Sequence, residues 1–160
     1  MNPEILAKAE KVVLLLKQKN LKIATAESCT GGMVSTYITA VSGASKVFEM
    51  GLTTYSNRIK NQILKVEERT LDTVGAVSCD TAKQMANNIC TLSGADIGVS
   101  VTGVAGPDPQ DGYLAGTVFI GICYNGETEA IKLQITPRDR NYVREGAVLE
   151  IFNLVINRLS

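Results

Sequence analysis

The chain is 160 residues long, with 16 Lys+Arg against 16 Asp+Glu and a formal net charge of zero. The length fits one domain of roughly 100–200 residues, and 45% hydrophobic against 20% charged residues describes a globule and not a disordered chain. The charge balance and the 5% of aromatics argue against a nucleic-acid protein built on a bulk positive field or on stacking platforms, and the absence of histidine removes Ser-His-Asp and Cys-His sites and histidine zinc ligands from this chain.

Asn2-Pro3-Glu4 reads as a helix start, with Asn as cap, Pro in the first turn and an acid on the dipole. Ile5, Leu6, Ala9, Val12, Val13 and Leu16 follow at helical spacing, and Asn20 is the stop. Neither a basic segment with a small-residue cleavage site nor a run of the ~20 apolar residues of a membrane span occurs here, so a cytoplasmic chain without leader or membrane segment is expected. Lys22 to Ala26 reads as a strand, broken by Glu27-Ser28-Cys29-Thr30-Gly31-Gly32, and Met33 to Val41 as a helix. Val47 to Tyr55 is a strand, Ser56 caps a short helix with Ile59, Lys60 and Ile63, and Glu67 to Val74 is another, closed by Gly75. Ser78 opens a helix with Ala82, Met85, Ala86 and Ile89 as its buried stripe and Gly94 as its stop.

Asp96 to Thr102 is an Ile/Val-rich strand, and Gly103 to Gly116 a long irregular loop of the kind that often carries function. Thr117 to Tyr124 and Glu127 to Ile135 are strands joined by Asn125-Gly126, a two-residue hairpin signal. From Arg138 onward Val143, Ala147, Ile151, Leu154, Val155 and Leu159 mark a final helix. Helices interleaved with strands imply a layered α/β domain, and the hairpin makes its sheet mixed. Cys29, Cys79, Cys90 and Cys123 form no C-x-x-C pair, which points to reduced thiols and away from a zinc ribbon; Cys90 and Cys123 are expected in the core.

Four segments could carry chemistry. In TAESCTGG (25–32) a strand runs into a glycine pair that opens a helix, presenting a side chain and free backbone N–H groups at one point. Ser28 is the natural nucleophile there and Cys29 its rival, unless the segment is simply a capped tight turn; a P-loop would need a lysine that this segment lacks. In TTYSNRIK (53–60), Tyr55 ends a strand and Lys60 lies in the first turns of a helix, able to reach the sheet edge where Ser28 emerges. A serine without histidine needs another base, and neutral lysine is the usual substitute; the plainer reading of Lys60 is a solvated surface lysine. In VTGVAGP (101–107), Gly103 and Gly106 allow close backbone approach and positive φ, as in an anion or ribose nest or in an ordinary loop. Arg138, Arg140 and Arg144 open the last helix; Arg140 and Arg144 share a face and suit a phosphate fork, or else belong to a charged surface.

Taken together, TAESCTGG, TTYSNRIK, GAVSCDTAKQMA, SVTGVAGP, GTVFIG and DRNYVREGAV resemble, in order and over nearly the whole chain, the CinA C-terminal domain family, whose enzymatic members are nicotinamide-nucleotide amidohydrolases. The resemblance implies a single three-layer α/β/α domain with a mixed, mostly parallel sheet. It also implies a Ser/Lys hydrolase with no metal or cofactor, acting on a small nucleotide, with no nucleic-acid or membrane partner and with a homo-oligomer left open. By motif, Ser28 matches the nucleophile, Lys60 the base, and Tyr55 and Arg144 supporting residues, with Thr102 and Gly103 on the nucleotide side. Backbone N–H groups around Thr30, Gly31 and Gly32 would hold the oxyanion, Arg140 or Arg144 the phosphate, and cationic neighbours would help keep Lys60 neutral. The chain departs from the family in GPDPQDGYLAGTV, where a glycine pair and a Pro-Val are usual, and at Arg138, where glycine is usual. That altered loop motivates a second expectation, a nucleotide-binding regulatory or competence-associated protein without turnover; a cysteine amidase using Cys29 is a third.

Overall fold

The computed structural model describes residues 1–160. In chain order it consists of α1 (Pro3–Lys19), β1 (Ile23–Glu27), α2 (Met33–Thr39), a 3-10 turn (Ala44–Lys46), β2 (Phe48–Thr53), α3 (Asn57–Gln62), α4 (Glu68–Thr73), α5 (Cys79–Ser93), β3 (Ile97–Gly103), β4 (Thr117–Tyr124), β5 (Glu127–Gln134) and α6 (Arg140–Leu159). The caps explain the boundaries. Asn2 accepts the Glu4 N–H at the start of α1, and Asn20 ends that helix in the left-handed region. Ser56 and Ser78 cap α3 and α5. α6 begins two residues later than the sequence suggests, because the Asp139 side chain takes the Tyr142 N–H and so makes Asp139 the cap. The 3-10 turn has no sequence counterpart among the expected elements.

The sheet order is β2-β1-β3-β4-β5. β1 pairs in parallel with β2 and β3, while β4 pairs antiparallel with β3 and β5. Four strands therefore run one way and β4 alone runs back, a mixed and mostly parallel sheet. Asn125 and Gly126 both have positive φ, the hairpin geometry that suits the right-handed strand twist.

The period-two alternation of the strands divides two cores. Ile23, Val99, Val101, Val118, Ile120 and Ile122 face one side and pack with α1, α2 and α6 in the larger cluster, which includes the fully buried Phe152. Ala24 and Ala26 face the other side, towards Met85 and Ile89 of α5 and Leu64, Val66 and Leu71 near α3 and α4. α5 lies close on this face because a Cβ at Gly98 would meet the Ala86 carbonyl oxygen. Cys123 is buried, but Cys90, expected in the core, is only half-buried, although its thiol points to the sheet and donates to the Cys123 carbonyl at 3.9 Å; no cysteine is in a disulfide. No helix is long and apolar enough to cross a membrane.

Candidate active site

With order 2-1-3, the chain leaves β1 towards β2 on one side and returns to β3 on the other, so loops diverge at the carboxyl ends of β1 and β3. Crevices in open α/β sheets form at such a point. A cleft of about 310 Å3 opens there, lined by Ser28 and Cys29 after β1, Tyr55, Asn57 and Lys60 after β2, Thr102 to Gln110 after β3, and Arg140 from α6.

Lys60 is the decisive placement. It is 1% exposed, and its Nζ donates to Ser28 Oγ at 3.0 Å, to the Thr54 carbonyl at 2.7 Å and to the Tyr55 carbonyl at 3.3 Å. Two donors spent on carbonyls leave the third tetrahedral position of the amine aimed at the serine, so a neutral Lys60 would turn its lone pair to the Ser28 hydroxyl. Burial lowers the Lys60 pKa from 10.5 to about 8. The cause is desolvation: the cationic neighbours invoked from sequence are not among the influences that lower it. Burial has the opposite sense for a thiol and pushes Cys29 up to about 12, so Cys29 lines the cleft as a protonated group and is a poor nucleophile.

The turn 28–32 is more constrained than its composition suggests. Gly31 and Gly32 both have positive φ. The Gly31 N–H donates to the Ser28 carbonyl, and the Gly32 N–H to Glu27. Those two donors, expected at an oxyanion, are thus used internally; the turn N–H groups without a hydrogen bond are those of Cys29 and Thr30, and of these residues only Cys29 lines the cleft, Thr30 being fully buried. The Thr30 hydroxyl is also turned inward, donating to Glu27 Oε2 at 2.7 Å. Glu27, to which sequence reasoning assigned no role, is the hub here.

The two arginines separate although they share a helix face. Arg140 lies over the cleft, bonded to the Gly106 carbonyl at 2.6 Å and the Tyr55 hydroxyl at 3.0 Å. Arg144 lies outside the cleft lining and donates to the Cys29 and Thr30 carbonyls at 3.2 and 2.8 Å. Arg138 stacks over the Tyr142 ring. Thr102 lines the cleft with its hydroxyl donated to the Ala76 carbonyl at 2.8 Å. Gly103 does not have positive φ; glycine is needed because a Cβ would come within 2.6 Å of the Thr117 carbonyl oxygen, so the close approach is to β4. The altered loop is anchored by Tyr113, edge-on to Phe119 at 5.6 Å, and brings Asp108, Pro109 and Gln110 to the cleft wall.

A doubly wound α/β domain with a polar cleft at its strand ends is the class that fold and site define. Residues 6–159 match the CinA C-terminal domain, and the chain belongs to that family. It is 46% identical over 150 residues to a competence-damage inducible protein of Thermoanaerobacter sp. (strain X514), a match covering 91% of this chain and 36% of that protein. A protein of the same name from Listeria innocua is 44% identical over 147 residues, 91% of this chain and 35% of its own length. The chain thus spans about a third of the length of these relatives. Among solved structures, the competence-damaged protein (CinA) superfamily protein from Klebsiella pneumoniae 700603 superposes with a TM-score of 0.94 at 31% identity, covering 99% of this chain and 98% of the other. A competence or damage-inducible protein from Enterobacter asburiae superposes equally well, with a TM-score of 0.94 at 34% identity over 99% and 100% of the two chains.

Proposed function

We propose that this chain is an amidohydrolase that converts nicotinamide mononucleotide to nicotinate mononucleotide and ammonia by a Ser28/Lys60 mechanism. The observation that carries this reading is the 3.0 Å approach of a desolvated Lys60 amine to the Ser28 hydroxyl at the cleft. With a pKa of about 8, about a quarter of Lys60 is neutral at pH 7.5, whereas an ordinary lysine would be neutral in about one molecule in a thousand.

Ser28 Oγ adds to the carboxamide carbon while its proton passes to Lys60 Nζ. The charge on the carbonyl oxygen is received by the Cys29 N–H at the cleft, a contribution of about 3–4 kcal/mol for a well-placed donor. The Lys60 ammonium returns its proton to the departing nitrogen, which leaves as ammonia. Water then attacks the Ser28 ester with Lys60 again taking the proton, and the acid product and the free serine result. Arg140, whose side chain is at the surface with donors beyond its two bonds, receives the phosphate. Tyr55 orients Arg140 through its hydroxyl and, through its main-chain carbonyl, Lys60.

Ammonia release is the test. Wild type should produce one ammonia per nicotinate mononucleotide, and Ser28→Ala and Lys60→Met should each lose at least a hundredfold in rate; a variant with wild-type turnover removes that residue from the mechanism. The altered loop favours a second reading, because Asp108, Pro109 and Gln110 line the cleft: a competence-associated nucleotide-binding protein without turnover. Saturable binding of the mononucleotide with no ammonia on prolonged incubation would select it.

A further inference from the structure

We infer, resting on the reading that Ser28 is acylated, that Glu27 and Arg144 are positioning residues that preset the oxyanion site through the turn held between them. Neither side chain lines the cleft. Glu27 is 1% exposed, yet both its oxygens are occupied. Oε2 accepts from the Thr30 hydroxyl at 2.7 Å and from the Gly32 and Val34 N–H groups at 3.0 Å each. Oε1 accepts from the Ser35 N–H at 2.9 Å and the Ser35 hydroxyl at 2.8 Å. Burying a carboxylate without a cationic partner is unfavourable unless donors converge on it. Here they come from the residues that follow the nucleophile, so the end of β1 is bonded to the first turn of α2 and the intervening turn cannot relax.

Arg144 works on the other side. Every peptide bond in the turn is trans, the only cis bond in the chain being Gly106–Pro107. A trans peptide carries its C=O and N–H on opposite sides. The Arg144 bond to the Thr30 carbonyl therefore turns the Gly31 N–H away from α6 and onto the Ser28 carbonyl, while a second bond holds the Cys29 carbonyl. The Gly31 N–H on the Ser28 carbonyl fixes the Cys29 N–H in the same manner. The Cys29 N–H at the cleft thus belongs to a peptide whose carbonyl is already held, at the end of a run of bonds that starts at Arg144. Donors fixed before reaction need no reorganisation as charge develops, the condition under which an oxyanion site is effective.

The experiment compares wild type with Glu27→Gln, Arg144→Ala and Arg144→Lys, first checking folding by circular dichroism and melting. Two readouts follow: kcat and KM for nicotinamide mononucleotide, and affinity for pyridine-3-boronic acid. The boronic acid forms an O–B bond to Ser28 Oγ as the serine proton passes to Lys60, leaving a tetrahedral boronate that mimics the oxyanion. Glu27→Gln and Arg144→Ala should lower kcat at least tenfold with KM within twofold of wild type, and should weaken the boronate by the same factor as kcat/KM. Arg144→Lys should recover part of both, because an ammonium reaches one of the two carbonyls. Folded variants with unchanged kcat, or with lowered kcat and unchanged boronate affinity, overturn the inference. So does wild type that forms no boronate adduct. Should Glu27→Gln fail to fold, Arg144→Ala decides alone, since Arg144 is only half-buried. A wild type that binds boronate but releases no ammonia refutes the deamidation reading only, and the boronate ratios still decide this one.

Discussion

The lowered pKa of Lys60 makes folding stability depend on pH in a way that can be measured without knowing the substrate. Burial brings this lysine from 10.5 to about 8. Between those values the unfolded chain holds a proton that the folded chain has released, so stability rises with pH across that interval. Below pH 8 the folded state carries the full cost of a desolvated ammonium, about 3 kcal/mol for a shift of this size; above 10.5 the cost is gone. Between pH 7 and pH 10 wild type should therefore gain about 2.5 kcal/mol relative to Lys60→Met, the variant in which the titrating group is absent. Taking the difference between the two proteins cancels the tyrosines, cysteines and other lysines that titrate in both. The assay is urea unfolding of each protein at pH 7, 8, 9 and 10, with extrapolated stabilities compared pairwise. In the proposed mechanism the same amine is the general base, so kcat/KM should rise tenfold per pH unit below about 8 and level above it. Parallel stability curves for wild type and variant would refute the argument, because a lysine that does not change the pH dependence of folding is not desolvated in the native state.

Three further outcomes follow from single contacts. Cys29, with its thiol pushed up to about 12, should resist iodoacetamide at pH 7.5 in the native protein while the unfolded chain is labelled within minutes, as peptide mass spectrometry can show; rapid native labelling would restore Cys29 as a candidate nucleophile. Arg140→Ala should raise KM for nicotinamide mononucleotide at least tenfold and leave the KM for the unphosphorylated riboside unchanged, in steady-state assays; equal effects on both would place the phosphate elsewhere. Thr54 Oγ1 is buried without a hydrogen-bond partner, so Thr54→Val should stabilise the fold by about 1 kcal/mol in chemical denaturation, and a loss of stability would show that the hydroxyl is bonded.

Much of the scaffold was legible because local rules and the fold agree. Asn2, Ser56 and Ser78 cap helices as their side chains dictate, and Asn125-Gly126 makes the tight hairpin between β4 and β5. The convergence of Ser28 and Lys60, 32 residues apart, was foreseeable as chemistry at the carboxyl ends of parallel strands. The orientation of Lys60 was not legible. Helical spacing in α3 directs Ile59 and Ile63 inward and Lys60 to solvent, yet Lys60 is buried, Ile59 half-buried and Ile63 47% exposed. Six residues are too few for periodicity to decide a face, and the carbonyls of Thr54 and Tyr55, which no hydropathy pattern registers, supply the acceptors that let the amine go inside.

Glu27 escaped notice for a related reason. An acid closing a short strand reads as the first exposed residue of a turn, and only the folded turn gathers the donors that make its burial stable. The available signal was the density of N–H and hydroxyl groups in the residues after it, Thr30 to Ser35. The two ionisable side chains that hydropathy places outside are thus the two that are 1% exposed, one preceding Ser28 in the chain and the other bonded to its hydroxyl. A buried charge survives only where its surroundings are built to hold it, and building them costs stability that packing alone would not require. Local rules therefore fail at the turn proposed to carry the nucleophile, and the mismatch between where sequence puts Glu27 and Lys60 and where the fold puts them is itself an argument for that proposal.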